Sequence, residues 1–160
     1  MINIIAAVDE NMGIGKDNKL LAHIEPDLRY FKKMTTGKIV VMGYNTYLSL
    51  PIKPLPNRTN VLITSKDIEI EGFIIFHSVE ECKKWIDEQN EEVFIIGGRS
   101  IYEQFLPYTD RLYLTHIFHK FDADTFFPDI SEDWQLVSAF GKSENFKHKY
   151  KHIFAVYERK

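Results

Sequence analysis

The sequence holds one cysteine in 160 residues, Cys82, so no internal disulfide can form and a reducing compartment is expected. Cys82 lies in a charged helical stretch, where a small packing residue is expected rather than a nucleophile. Excess basic charge is missing as well. Twenty Lys and Arg stand against 23 Asp and Glu, giving a net charge of −3 and a pI near 6.1. That balance lacks the footprint of a nucleic-acid binder. The opening apolar run, residues 2–8, is too short to span a bilayer and has no basic start or cleavage site of a signal peptide. Internal repeats, low-complexity segments and linkers are absent. What remains is ordinary globular composition, 44% hydrophobic and 27% charged. At this length one domain, 1–160, is expected, with no membrane or nucleic-acid partner, in the cytoplasm.

Apolar, β-leaning runs mark buried strands at residues 2–8, 38–42, 60–64, 73–76 and 93–96. Helices are expected between them. Pro26 suits the first position of one that runs to about Met34, with Gly37 closing it. Ser78-Val79-Glu80-Glu81 matches a capping box for a helix reaching about Asn90, and another helix carries Ile101, Phe105 and Leu106. Residues 9–18 and 118–134 read as loops, the second long enough to suggest function. The alternation points to an α/β fold with helices on both faces of a mostly parallel sheet. Past residue 110 the helices stop. Residues 111–118, 134–142 and 150–158 read as three antiparallel strands at the C-terminal edge of an eight-stranded sheet, without helices between them.

Asp27 lies in the first turn of the helix after Pro26. Residues three and four apart share a helix face, so Asp27, Leu28 and Phe31 form an apolar side broken by one carboxylate. An aspartate there ordinarily just complements the helix dipole; the apolar neighbours make Asp27 the leading candidate for chemistry. Met42-Gly43-Tyr44-Asn45-Thr46 and Ile96-Gly97-Gly98-Arg99-Ser100 each take bare backbone from a strand into a helix, as phosphate sites do. One such turn is often only close packing, whereas two on one sheet suggest an elongated diphosphate ligand. Neither is a GxGxxG or Walker sequence. Thr64-Ser65-Lys66 either grips a further phosphate or is a solvated turn. Arg58 either pairs with a carboxylate or is a surface arginine. The histidines build no metal site. His148 and His152, on one extended strand, are roughly 13 Å apart at strand rise.

Taken in order, Ile5-Ala6-Ala7, Gly13-Ile14-Gly15, Asp27-Leu28-Arg29-Tyr30-Phe31-Lys32, Leu55-Pro56-Asn57-Arg58, Ile95-Ile96-Gly97-Gly98, Ile101-Tyr102-Glu103-Gln104-Phe105-Leu106, Tyr113-Leu114-Thr115-His116 and Asp124-Thr125-Phe126-Phe127-Pro128 resemble dihydrofolate reductase across the chain. The resemblance implies NADPH-dependent reduction of dihydrofolate, with dihydrofolate and antifolate inhibitors as small-molecule partners, and action as a monomer. Asp27, supported by Thr115, would bond the pterin 2-amino group and N3. Ile5, Ala6, Leu20, Leu28 and Phe31 would line the substrate pocket with Leu50, Leu55, Ile96 and Tyr102. Arg58, with Lys32 nearby, would take the glutamate-tail carboxylate. Cofactor contacts would come from Ala7, Ile14, Gly15, Gly43, Tyr44, Asn45 and Thr46. Thr64, Ser65, Lys66, Ile96, Gly97, Gly98, Arg99, Ser100, Ile101 and Tyr102 would supply the rest. Gly97-Gly98 would carry a non-proline cis peptide. Residues 15–20 would form a mobile loop over the nicotinamide, held closed by the loop containing Asp124.

Four positions depart from the family pattern. Ala22 stands where the family has tryptophan, and proline comes one position late in Glu25-Pro26. Tyr44 replaces an arginine that helps hold the cofactor 2′-phosphate, and Ser100 replaces a second cation present in some members. Lys66, Ser65 and Arg99 are the candidate substitutes, so a weakened phosphate clamp and a looser lid are expected. Two other readings compete: a riboflavin-pathway reductase of the same fold, and a non-catalytic homologue. Asp27 with Thr115 and Arg58 favours a pterin bearing a carboxylate tail.

Overall fold

A computed structural model describes all 160 residues. Ten strands are formed: β1 (Ile2–Val8), β2 (Gly13–Gly15), β3 (Ile39–Gly43), β4 (Thr59–Ile63), β5 (Phe73–Phe76), β6 (Val93–Gly97), β7 (Arg111–Ile117), β8 (Thr125–Phe126), β9 (Trp134–Phe140) and β10 (His152–Arg159). The helices are α1 (Glu25–Thr35), α2 (Tyr44–Ser49), α3 (Val79–Glu88), α4 (Arg99–Phe105) and α5 (Ser143–Lys147), with a 3₁₀ turn at Leu106–Tyr108. Eight strands make one sheet in the order β5-β4-β3-β6-β1-β7-β10-β9.

The apolar runs become strands because both sheet faces are covered. Side chains alternate across a strand, and the core divides accordingly. Ile2, Ile4, Val41, Val93 and Ile95 pack on one face with α3 and α4 residues such as Cys82, Ile86 and Phe105. Ile5, Val40, Met42, Phe94 and Tyr113 cluster on the other with Tyr30, Phe31 and Met34 of α1. Cys82 is wholly buried, and burial pushes its thiol up to about 12, which fits a packing residue. The Ser78 hydroxyl accepts from the Glu81 N–H at 3.1 Å; the returning Glu81 carboxylate reaches the N–H of His77, one residue earlier than a capping box requires.

The structure bears out the antiparallel C-terminal edge: β10 lies antiparallel between β7 and β9. β7 is also parallel to β1 on its other side, Ala7 facing Thr115, because α4 carries the chain back across the sheet before β7 begins. The expected absence of helices in this stretch is what the structure corrects. A helical turn, α5, separates β9 from β10 where none was expected. His148 therefore caps a helix rather than continuing a strand, and its ring centroid lies 5.9 Å from that of His152, not 13 Å. The expected loops also contain structure: β2 and β8 pair as a small antiparallel ribbon. Glu25 precedes Pro26 in α1, so the proline is the second helical residue.

Candidate active site

The first turn of α1 faces the carboxyl ends of β1 and β7. Thr115, 1% exposed on β7, donates its hydroxyl to Asp27 Oδ1 at 2.6 Å. Burial raises the Asp27 carboxyl above the usual carboxylate range, opposed by the Thr115 hydrogen bond and by the charge of His152. The same surroundings push the Tyr30 phenol up to about 12, through burial first and then Tyr113 and Asp27. Ala7, Ile14, Leu20, Leu28, Ile24, Ala22 and Ile117 enclose a small cavity of about 30 Å³ beside the carboxylate, room for roughly one water. Asp27 is the single charged side chain in that wall.

Farther along the cleft, Phe31, Leu50, Leu55 and Ile96 pack around the Ile5 cluster. Ala6 alternates to the other sheet face and packs there with Ile14. The Tyr102 hydroxyl, buried and raised by desolvation, donates to the Ile5 carbonyl at 2.9 Å. Arg58 is fixed at the end of this wall: Nε donates to the Pro56 carbonyl at 2.9 Å and Nη1 to Thr35 Oγ1 at 3.0 Å. Burial lowers its pKa, and the rest of its fork is left for an anion. Lys32 is exposed on α1. Asn60 orders the proline-rich loop by accepting from the Leu55 N–H and donating to the Leu55 and Arg58 carbonyls.

The second half of the cleft is backbone. Gly43 and Gly98 begin α2 and α4, and neither helix start has a side-chain cap. Gly97-Gly98 is a cis peptide, and Gly97 has φ +129°. A Cβ on Gly97 would stand 3.1 Å from Thr46 Oγ1, and one on Gly43 3.0 Å from Ile101 Cγ1. Two open helix starts flanking a hydroxyl fit a diphosphate, because free N–H groups and the positive dipole ends favour anions. Asn45 is exposed beside Thr46. Ser100 is exposed in the first turn of α4 and accepts from Gln104.

At the next strand end, Thr64 is buried and its Oγ1 accepts from the Lys66 N–H at 3.2 Å, while Ser65 and Lys66 are exposed. Lys66 Nζ stands 5.1 Å above the Tyr44 ring. Arg99 is already engaged, with Glu103 at 3.0 Å and the Phe126 carbonyl at 3.1 Å. His77 joins this corner through Nδ1–H to the Thr64 carbonyl at 2.9 Å. Sequence reasoning missed it, since nothing local links residue 77 to residue 64.

Residues 15–20 form a tight hairpin. Lys16 and Lys19 exchange backbone hydrogen bonds at 3.0 Å, and Asp17 and Asn18 both have positive φ, the geometry of a type I′ turn. The Asp17 N–H donates to Asp124 Oδ2 at 3.0 Å, and the Asp124 N–H donates to the Gly15 carbonyl. The Asp17 and Thr125 donors hold the Asp124 carboxyl below its usual range. Asp9, 2% exposed, anchors the base by accepting from Asn11, Gly13 and Phe121 N–H groups. A larger groove, about 460 Å³ between Met12, His116, Trp134 and Tyr157, contains none of these residues.

A family model described as dihydrofolate reductase matches residues 1–159. The chain is 43% identical to the dihydrofolate reductase of Bacillus subtilis over 162 residues, covering 100% of this chain and 95% of the relative. It is 39% identical to that of Staphylococcus haemolyticus, covering 99% and 95%. A solved structure of dihydrofolate reductase from Enterococcus faecalis, complexed with NADP(H) and RAB-propyl, superposes with a TM-score of 0.92 at 37% identity, covering 99% of this chain and 96% of that one.

Proposed function

Because the chain belongs to the dihydrofolate reductase family, and so catalyses NADPH-dependent reduction of dihydrofolate to tetrahydrofolate, we propose that Asp27 is its pterin-orienting group. The hydrogen-bonded Asp27–Thr115 pair in an apolar wall is the observation that carries this reading. Asp27 bonds the 2-amino group and N3, which fixes the ring and favours its protonation. N5 lies at the other ring edge, so its proton arrives through water rather than directly from Asp27. Phe31, Leu50, Leu55 and Ile5 exclude bulk water from the pterin and its linker, which strengthens the polar contacts inside. Arg58 takes the tail carboxylate with its free donors.

The open starts of α2 and α4, with Thr46, hold the cofactor diphosphate. When bound, NADPH supplies the hydride that pterin C6 accepts. Lys66, Ser65 and His77 receive the 2′-phosphate. Arg99 contributes little, being paired with Glu103, so discrimination against NADH is weaker than an arginine at residue 44 would give. The hairpin tied to Asp124 closes over the nicotinamide end. Small ligands of the antifolate type meet the same carboxylate.

We further propose that one chain, acting as a single domain and monomer, completes the site, and that it works in the cytoplasm. No helix is long and apolar enough to cross a membrane. Absorbance at 340 nm tests the activity: NADPH is consumed only when dihydrofolate is present, and Asp27→Asn abolishes most turnover at pH 7. Full turnover in that variant would remove Asp27 from the mechanism. Size-exclusion chromatography with light scattering tests the monomer against an expected mass of 18.8 kDa.

A further inference from the structure

Asp9 directly follows β1 and is buried, yet it enters none of the ion pairs of the fold. A buried carboxylate is costly unless its oxygens find donors. Here backbone alone supplies them. Oδ1 accepts from the Asn11 N–H at 2.9 Å and the Gly13 N–H at 2.8 Å, while Oδ2 accepts from the Phe121 N–H at 3.0 Å. The two oxygens therefore serve two segments. One leads into the lid hairpin, and the other belongs to the loop after β7 that carries Asp124.

The surrounding backbone is shaped to that carboxylate. The Asp9 N–H donates to the Gly13 carbonyl and the Met12 N–H to the Asp9 carbonyl, both at 3.0 Å, with Met12 at φ +63°. A left-handed backbone at a non-glycine residue persists only where its surroundings enforce it. A Cβ on Gly13 would stand 2.6 Å from Ala123 Cβ and 3.0 Å from both Asp9 carboxylate oxygens. Only a residue without a side chain lets the turn, the carboxylate and the second loop meet. Outward from this junction the two segments stay laced together. The Glu10 N–H donates to the His119 carbonyl at 3.0 Å, the Phe127 N–H donates to the Met12 carbonyl at 2.8 Å, and β2 pairs with β8. Asp124 ties the far end through Gly15 and Asp17. Asp9 is the inner end of that lacing, two residues beyond Ala7, which lines the cavity beside Asp27.

We propose that Asp9 is a positioning residue for the nicotinamide end of the cofactor. It roots both the lid hairpin and the loop that holds it in the end of β1, so that the two keep one place relative to the pterin wall. The proposal rests on the reading of that hairpin as the nicotinamide lid and deepens it. Apparent affinity scales with the fraction of molecules already in the binding-competent arrangement, and the Asp9 contacts keep that fraction high before NADPH arrives. Their influence is confined to one end of the ligand. The corner assigned to the 2′-phosphate is built by Thr64, Lys66 and His77, which bond one another and neither of the laced segments.

Asp9→Asn tests this in the full chain. An amide has one acceptor oxygen, so the variant must abandon either the turn or Phe121 while keeping the size of the side chain. Calorimetric titration compares NADPH with adenosine 2′,5′-bisphosphate, which has the 2′-phosphate but no nicotinamide, and single-turnover kinetics follows hydride transfer. NADPH affinity is expected to fall about tenfold, the order of one hydrogen bond to a charged group lost from the closed arrangement. Hydride transfer should slow with it, while affinity for the bisphosphate stays within about twofold. Equal losses for the two ligands would make Asp9 a general structural residue and overturn the proposal. Unchanged NADPH affinity and hydride transfer would overturn it too. Asp124→Ala cuts the outer tie alone and separates the two levels of the argument. Unchanged NADPH affinity there would sink the lid reading and the proposal with it, whereas a loss there with none in Asp9→Asn would remove Asp9 only. If Asp9→Asn fails to fold, Gly13→Ala, whose Cβ is driven into Ala123 and the Asp9 carboxylate, decides by the same two ligands.

Discussion

Replacing Thr115 with valine removes one oxygen and keeps most of the buried volume. The lost contact is the 2.6 Å hydrogen bond to Asp27 Oδ1, made in a 1% exposed site where water cannot readily replace it. A hydrogen bond to a charged group is worth about 1.5–3 kcal/mol, and each pKa unit about 1.4 kcal/mol, so the Asp27 midpoint should rise by about one to two units. The sign is fixed because the hydroxyl stabilises the ionised form: it opposes the upward push of burial. Carboxyl ¹³C titration of Asp27 in the unliganded variant reads the shift directly. The kcat/KM profile should move in the same direction, since that profile reports the free enzyme. A midpoint within 0.3 units of wild type, well inside the range that about 1.5 kcal/mol forbids, would refute the reasoning. The hydroxyl would then be a packing group, and the carboxylate would owe its state to burial alone.

Asp27→Asn should stabilise the protein at neutral pH. The folded-state pKa is raised, so the folded chain binds the proton more tightly than the unfolded chain. The stability this linkage supplies is present at low pH and is lost as pH rises from the usual carboxylate range through the raised value. The melting temperature of the variant should therefore exceed wild type at pH 8 and converge with it below about pH 4; a constant gap would count against a buried carboxylate. Lys66→Ala should weaken NADPH binding by about tenfold, roughly the 1.4 kcal/mol of one partly exposed charge-assisted contact, while leaving NADH binding within twofold. Equal losses for both in calorimetric titration would move the 2′-phosphate away from Lys66. Gly97→Ala should lower the urea midpoint by an amount equivalent to about 1–3 kcal/mol. Its Cβ meets Thr46 Oγ1 at 3.1 Å on a residue with φ +129°, and wild-type stability would show that the backbone there relaxes freely.

The parallel half of the fold is legible because fully buried strands are continuous apolar runs and their ends are marked by Gly43 and by Gly97-Gly98. Asp27 is legible for a related reason: a charge interrupts a helical face that should be apolar. Strand direction leaves no such mark. Arg111–Ile117 has the same alternation whether it runs with or against β1, and α4 decides the matter by returning the chain across the sheet. Helix α5 is five residues long, too short to show a period. Without it His148 and His152 read as positions along one extended strand, whereas the folded chain brings their rings to 5.9 Å. Asn60 and Asp9 carry no mark in the sequence, where a lone polar residue looks like surface. Their work is to bond loop N–H and carbonyl groups that only the folded chain brings within reach. Arg99 illustrates the opposite error: a cation beside the cofactor cradle, but one committed to Glu103 and the Phe126 carbonyl.

The role of Asp27 is tested most directly by the pH dependence of single-turnover hydride transfer in Asp27→Asn. An amide can still accept and donate at the pterin edge, but it carries no charge to favour protonation of the ring. The rate should collapse at pH 7, recover partially as the substrate itself becomes protonated at low pH, and lose the wild-type midpoint, with NADPH affinity unchanged. A variant that keeps the wild-type rate and the wild-type midpoint at pH 7 would contradict the account.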